Sequence, residues 1–203
     1  QYGFNLNEQI DTWPTLTSNH VDEVKSLAEL LWRWLPVNQE LCKKFYGVDG
    51  AMLIHGSDFD GYEVPGWYCA NLWAGCGPWA CWTLWQIYLY TMDEEFLRLR
   101  AYPLMREHMR QYFGILEKWD DGKYHIPRNP SPEWLNNDAA AWGRDDAGNH
   151  GIIRGMAKAV IEAEKILGIE NGDSARWREI LENIAPYRHR KQATQMKTTP
   201  NAH

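Results

Sequence analysis

An all-α fold, arranged as a toroid of helical hairpins, is predicted by three features of the sequence. Apolar residues recur at helical spacing in segments of roughly ten to twenty residues joined mostly by short turns, no convincing pair of alternating strands is present, and one helix is apolar on every side while its neighbours are amphipathic. The last feature separates a toroid from a simple bundle, because a helix without a polar face must have other helices on both flanks.

That helix runs from Pro78 to Met92 within the stretch Asn71 to Pro103, around which the rest of the chain is organised. At about fifteen residues, interrupted by Thr83 and Gln86, it is too short to span a bilayer. Gly77 and Pro78 give it a sharp start, since a proline loses nothing at the first helical position. Trp73, Trp79, Trp82 and Trp85 crowd its N-terminal end, which is expected to face a pocket.

Before it, Phe4 to Pro14 reads as an extended or looped lead-in, given its asparagines, Asp11 and the Trp13-Pro14 pair. A helix then starts near Asn19, with Val21, Val24, Leu27, Ala28, Leu31 and Leu35 on one face, and is expected to end at Pro36. Val37 to Tyr46 forms a second, shorter helix closed by Gly47. Asp49 to Gly77 loses periodicity over about thirty residues, a length at which a loop is usually functional.

After the apolar helix, Asp93 to Ala101 reads as a short helix broken before Pro103, and Pro103 to Lys118 as a longer one. Asp120-Asp121-Gly122 is a turn, and Lys123 to Trp134 is irregular because three prolines interrupt it. Ile152 to Leu167 is a helix, and Asp173 is placed to cap a last one reaching about Ile184. Residues 4–187 thus form one unit, and the tail 188–203, lacking apolar periodicity, is expected to be disordered. A chain beginning with Gln1 rather than Met is expected to be a fragment.

Composition narrows the chemistry. The net charge of −6 and the scattered basic residues argue against nucleic acid or an anionic membrane as partner. Cys42, Cys69, Cys76 and Cys81 form no CxxC pair and no zinc spacing, so free buried thiols are expected and the redox compartment stays open. There is no GxGxxG, P-loop, HExxH or GxSxG, and neither cofactor nor metal is implied. Twelve Trp and ten Tyr serve equally well as a large core or as rings that stack on sugar faces.

Three groups of residues could carry chemistry. Glu133, in Ser131-Pro132-Glu133 beside Trp134, is the best candidate acid, since an apolar neighbour raises a carboxyl pKa; a carboxylate at a helix start before Leu135 is the plainer alternative. Asn5 and Asn7 flank Leu6, so in an extended segment both amides would point the same way and grip a water or hydroxyls; turn formation is the plainer role. His55, Asp58, Asp60 and Glu63 cluster in the long loop among Phe59, Tyr62, Trp67, Tyr68 and Trp73, as sugar-binding groups or as a solvated loop. Their DxDGxE order imitates part of a calcium loop without its full ligand spacing.

Taken in order, NLNEQIDTWP, AMLIHGSDFDGY, the block from GPW to LYTMDEEFLRLRAYPLM, SPE, and IEAEKILG followed by ARWREILENIAPY resemble glycoside hydrolase family 95 from about Phe4 to Tyr187. The resemblance implies the N-terminal half of an (α/α)6 catalytic domain of an inverting α-L-fucosidase or α-L-galactosidase, acting on oligo- or polysaccharides. It makes Glu133 similar to the family's general acid and Asn5 and Asn7 similar to its water-holding asparagines, with His55, Asp58, Trp67, Trp73 and Trp79 about the sugar. It also implies an extracellular or periplasmic location and a partner in the remainder of the domain, where the aspartate supporting the asparagines is expected. The stretch Asp145 to His150 departs from the family in lacking an acidic residue just before Ile152-Ile153-Arg154. A non-catalytic carbohydrate-binding or scaffold protein on the same fold, and a toroidal glycosidase for another sugar, are the alternatives.

Overall fold

A computed structural model describes residues 2–4, 6–65, 68–130, 142–170 and 172–187. Asn5, Trp67, Glu133 and the tail 188–203 lie outside the described residues. The helices are α1 (Leu6–Thr17), α2 (Val21–Tyr46), α3 (Tyr68–Asn71), α4 (Cys76–Thr91), α5 (Glu94–Phe96), a π-helical turn (Leu97–Ala101), α6 (Tyr102–Arg110), α7 (Tyr112–Ile115), α8 (Ala147–Leu167) and α9 (Ser174–Asn183). Among the described residues, three two-residue antiparallel ladders tie loops together: β1 (Tyr2–Gly3) with β2 (Gly56–Ser57), β3 (Glu117–Lys118) with β4 (Tyr124–His125), and β5 (Asn129–Pro130) with β6 (Trp142–Gly143).

The fold is all-α, as the periodicity predicts. Helix α4 is its axis: α1 packs on one side of it and α8 on the other, α2, α6 and the π turn lie against it, and α9 packs on α8. Three helical hairpins therefore stand side by side, with α1, α4 and α8 as an inner row. This placement explains why α4 needs no polar face. Cys76, Ala80, Cys81, Leu84 and Ile87 are fully buried, and only its last turn, with Leu89 and Tyr90, emerges into solvent. Cys42, Cys76 and Cys81 are free and buried, and burial pushes the Cys42 thiol up to about 11, so none is poised as a thiolate.

Proline misleads the sequence reading three times. The lead-in is not a loop, because α1 runs through Pro14. Thr12 and Thr15 donate their hydroxyls to the carbonyls of Gln9 and Thr12, and Phe4 and Leu16 anchor the segment in the core, so tertiary packing overrides weak helix propensity. Pro36 likewise lies inside a continuous α2, which replaces the two predicted helices. The carbonyl deprived of its donor belongs to Trp32, an exposed position where losing one helical bond costs least. Pro103 does not break the chain either: the wider π turn directly before it accommodates a ring with no N–H, and α6 continues.

Glycine is the more dependable signal. Gly47 closes α2 at φ +71°, its N–H donating to the Lys43 carbonyl at 3.1 Å. At the other end of the chain, Asp173 occupies the N-cap position just before α9, but its side chain makes no capping hydrogen bond. Its carboxylate instead grips Arg110, with Oδ2 at 2.6 Å from Nε, and the cap is supplied by Glu164 of α8, which accepts the N–H groups of Asp173 and Ser174 at 2.8 and 2.9 Å. Helix α8 begins five residues before its predicted start, at Ala147, because Asp146 caps it by accepting the Asn149 N–H at 2.9 Å.

Candidate functional site

The inner helices start at one end of the molecule. Phe4, just before α1, donates its N–H to the His55 carbonyl at 2.8 Å, and β1 pairs with β2 beside it. Asn71 of α3 accepts the Gly56 N–H at 2.9 Å through its side chain, which brings the same loop to the approach of α4. Trp73 spans from there toward α8. A side chain at Gly75 would collide with the Trp73 indole at 2.4 Å and with Ile152 at 2.8 Å, so the turn into α4 must be bare to let the two helices close on each other.

Two cavities open at this end. The first, about 450 Å³, is lined by Tyr2, Phe4, Asn7, Glu8, Asp11 and His55 among others. Burial, reinforced by the Asp11 carboxylate, lifts the Glu8 carboxyl to about 7, and neither of its oxygens finds a hydrogen-bond partner among the described residues. The second cavity, about 300 Å³, lies along the seam of α4 and α8, with Trp79 and Trp82 on one wall and Gly151, Ile152, Gly155 and Met156 on the other. One wall is a pair of indoles, and the glycines keep the other low.

Behind the second cavity lies a buried polar joint centred on Asn149. Its amide nitrogen donates to Asn129 Oδ1 at 2.9 Å and to Asp146 Oδ2 at 2.8 Å, and its oxygen accepts the Tyr112 hydroxyl at 2.6 Å. Burial raises the Asp146 carboxyl above its ordinary range despite the donors from Asn149. A second joint links the β3–β4 hairpin to α8. Asp145, at φ +52°, accepts the Ile126 N–H at 2.9 Å and sits 2.9 Å from His125 Nδ1 and 3.5 Å from Nε2 of buried His150. His125 Nε2 meets Asp121 at 3.1 Å, and the ring stacks on Trp119 with centroids 4.1 Å apart.

The residues singled out from sequence fall into four sets. Asn7 and His55, far apart in the chain, line one cavity together. Asn7 sits in the first turn of α1, so the alternation of an extended strand does not apply to it. Trp79 lines the other cavity, and Trp73, buried, packs edge-on beneath it with centroids 5.8 Å apart, as a support for that wall. Asp58 is turned into its own loop, where Oδ1 accepts the N–H groups of Asp60 and Tyr62, both at 2.9 Å. Asn5, Trp67 and Glu133 lie outside the described residues.

Glu8 and Asn149 escaped the sequence reading. Glu8 falls in the segment read as a looped lead-in; the structure puts it in the first turn of α1, where Asp11 three residues on shares its face. Asn149 lies ahead of the predicted helix start at Ile152, and the signal that could have found it is an aspartate, Asp146, three residues before it. Among the described residues no group of three or more His, Cys, Asp or Glu could hold a metal ion, and no helix is long and apolar enough to cross a membrane.

Residues 1–197 match the family described as Glycosyl hydrolase family 95 catalytic domain. Over 173 residues, 82% of this chain, the sequence is 27% identical to Alpha-L-fucosidase 2 of Arabidopsis thaliana. The match spans 20% of that relative's length.

Proposed function

This chain belongs to glycosyl hydrolase family 95, and from that premise we propose that it serves, within a longer catalytic domain, to release terminal α-L-fucose or α-L-galactose from oligo- or polysaccharides with inversion at the anomeric carbon. Residues 4–187 form part of an (α/α)6 toroid in this reading. Glu133 donates a proton to the glycosidic oxygen as its bond to the anomeric carbon breaks. Asn5 and Asn7 hold the water whose oxygen forms the new bond from the opposite face of the ring. That water gives up its proton toward a carboxylate beyond the matched asparagines. Trp67, Trp73 and Trp79 provide aromatic walls, and His55 and Asp58 serve the sugar hydroxyls.

The observation that carries the reading is the meeting of Asn7 with His55 in one open cavity at the same end of the inner helices as Trp79. Inversion requires room for a water beside the sugar, and a cavity of about 450 Å³ at the α1 end offers it. The chain by itself has little or no activity in this account, because the inner row of a toroid needs hairpins on its open side.

The test is hydrolysis of aryl α-L-fucosides and α-L-galactosides by the protein that carries this chain. Glu133→Gln is expected to lower kcat by about 100-fold or more on a sugar-linked substrate. Full activity of Glu133→Gln, or binding of fucosides with no product released, would end the hydrolytic reading.

A further inference from the structure

Tyr2 stands on the wall of the cavity that Asn7 shares with His55, and the ring of Phe59 meets the Tyr2 ring edge-on, with centroids 5.7 Å apart. Phe59 is 68% exposed, and Tyr62, in the same turn, is 52% exposed. Apolar side chains scattered singly over a surface need no explanation. Two exposed rings on one turn, one of them touching the wall of a cavity, make a platform.

The turn is not free to fold these rings away. The Phe59 carbonyl accepts Arg33 Nη2 and Trp34 Nε1, each at 2.9 Å. Asp58 accepts the N–H groups of Asp60 and Tyr62 through Oδ1, and its own N–H donates to the Tyr62 carbonyl at 2.9 Å. Gly61, at φ +89°, lies so close to the Trp34 indole that a Cβ would stand 2.7 Å from its Cγ. Trp34 is itself fully buried, so the backbone of the turn is tied to the core while its two rings are left in water. A ring presented on a fixed backbone gives up little freedom when a ligand stacks on it.

We infer that Phe59 and Tyr62 form an accessory sugar-stacking site, which takes the pyranose chain bearing the terminal sugar while that sugar occupies the neighbouring cavity. The broad faces of a β-linked pyranose carry C–H groups and its edges carry hydroxyls, so an aromatic ring covers apolar surface and leaves the hydroxyls in water. Asp60 and Glu63 flank the rings with negative charge, which suits a neutral chain rather than an acidic one. The inference rests on the reading of this cavity as the place of the released sugar.

The experiment uses the full protein and two substrates. α-L-Fucosyl fluoride has no sugar on its leaving side, whereas fucosyllactose places a disaccharide there. Phe59→Ala and Tyr62→Ala are each expected to raise KM for fucosyllactose by about tenfold and to leave kcat/KM for the fluoride within about twofold, at an unchanged melting temperature. Phe59→Trp keeps a stacking face and is expected to retain the wild-type KM, whereas Phe59→Leu, apolar but not flat, is expected to behave like Phe59→Ala. Equal changes on both substrates, or none on either, would overturn the inference, as would a Phe59→Leu variant indistinguishable from the wild type. A fall of several degrees in melting temperature with both substrates impaired would assign the rings to packing against the rest of the domain and end the stacking role. Saturation-transfer NMR with lactose alone separates the platform from the chemistry: lactose is expected to receive saturation from the wild type and not from the double variant Phe59→Ala/Tyr62→Ala. Transfer to lactose from a wild type that hydrolyses neither substrate would defeat the reading of the cavity and keep the platform as a binding site. Absence of transfer from an active wild type would defeat the platform alone.

Discussion

Two carboxylates withdrawn into the protein, Glu164 on α8 and Glu8 on α1, are handled in opposite ways. Glu164 is saturated with donors: the Tyr102 hydroxyl at 3.1 Å, the N–H groups of Asp173 and Ser174, and the Ser174 hydroxyl all converge on its two oxygens. Glu8 has no partner for either oxygen among the described residues, and both amide atoms of neighbouring Gln9 are in the same state. On the α8–α9 side, Glu164 ties α8 to the start of α9 and to α6. The α1 side carries Glu8 and Gln9 without hydrogen-bond partners among the described residues, and it is also the side where Asn7 and His55 open into a cavity. A buried group that costs stability and supports no neighbour is where a functional role is to be sought.

Removing the saturated carboxylate gives the largest expected effect. Glu164→Ala leaves the first N–H groups of α9 and the Tyr102 hydroxyl without an acceptor, and each orphaned buried donor costs about 1–3 kcal/mol. The total loss is expected at about 3–5 kcal/mol, read from the urea midpoint at unchanged slope, with Glu164→Gln roughly half as severe. A loss under about 1 kcal/mol would show that the contrast between the two carboxylates has no energetic content.

The same contrast shows what the sequence could and could not reveal. The helix bearing Glu164 is legible because its apolar stripe is a local pattern, as is the apolar surface of α4. That Asp173 would lose the role of cap to Glu164 is not legible, since it depends on Arg110 arriving from α6 to claim the Asp173 carboxylate. Helix α1 is illegible for the converse reason: its asparagines, threonines and proline argue locally for a loop, and only packing through Phe4 and Leu16 makes it a helix. At the site, Asn7 and His55 could be named from residue type and resemblance, but their meeting is produced by the β1–β2 ladder, which no spacing announces. Asn149 stayed hidden because an amide's importance lies in what surrounds it.

Removing the unsaturated carboxylate's charge should act in the opposite direction. Glu8 is raised from 4.5 to about 7 by burial, with Asp11 adding to it, so its protonated form is favoured in the folded state. For a group whose folded pKa is raised, the stability it contributes is complete below pH 4.5 and is lost as pH climbs through about 7. Glu8→Gln is therefore expected to match the wild type at pH 4 and to be more stable at pH 8, by on the order of 2 kcal/mol. Equal effects of the substitution at both pH values would mean that the Glu8 carboxylate is already satisfied and resembles Glu164 after all.

The smallest effect lies between these extremes, at the partly sheltered His125. Burial by itself would lower its pKa, but hydrogen bonds and charge from Asp145 and Asp121 outweigh burial and hold it above its ordinary value. A histidine raised in this way contributes stability that is complete below the unfolded value of 6.5 and fades as pH rises through the folded value. His108 and His150 act with the opposite sign, because burial keeps both neutral and lowers their pKa, His108 to about 4, so what they contribute is lost on acidification. The pH dependence of the whole protein mixes these terms, whereas the difference between wild type and His125→Gln isolates one. That difference in melting temperature is expected to be about 2–4 °C at pH 5.5 and to shrink toward zero above pH 8, where Gln retains a neutral hydrogen bond to Asp145. A gap that widened with pH would mean that His125 is held neutral, and that the carboxylate pair around it orders the hairpin without charging it.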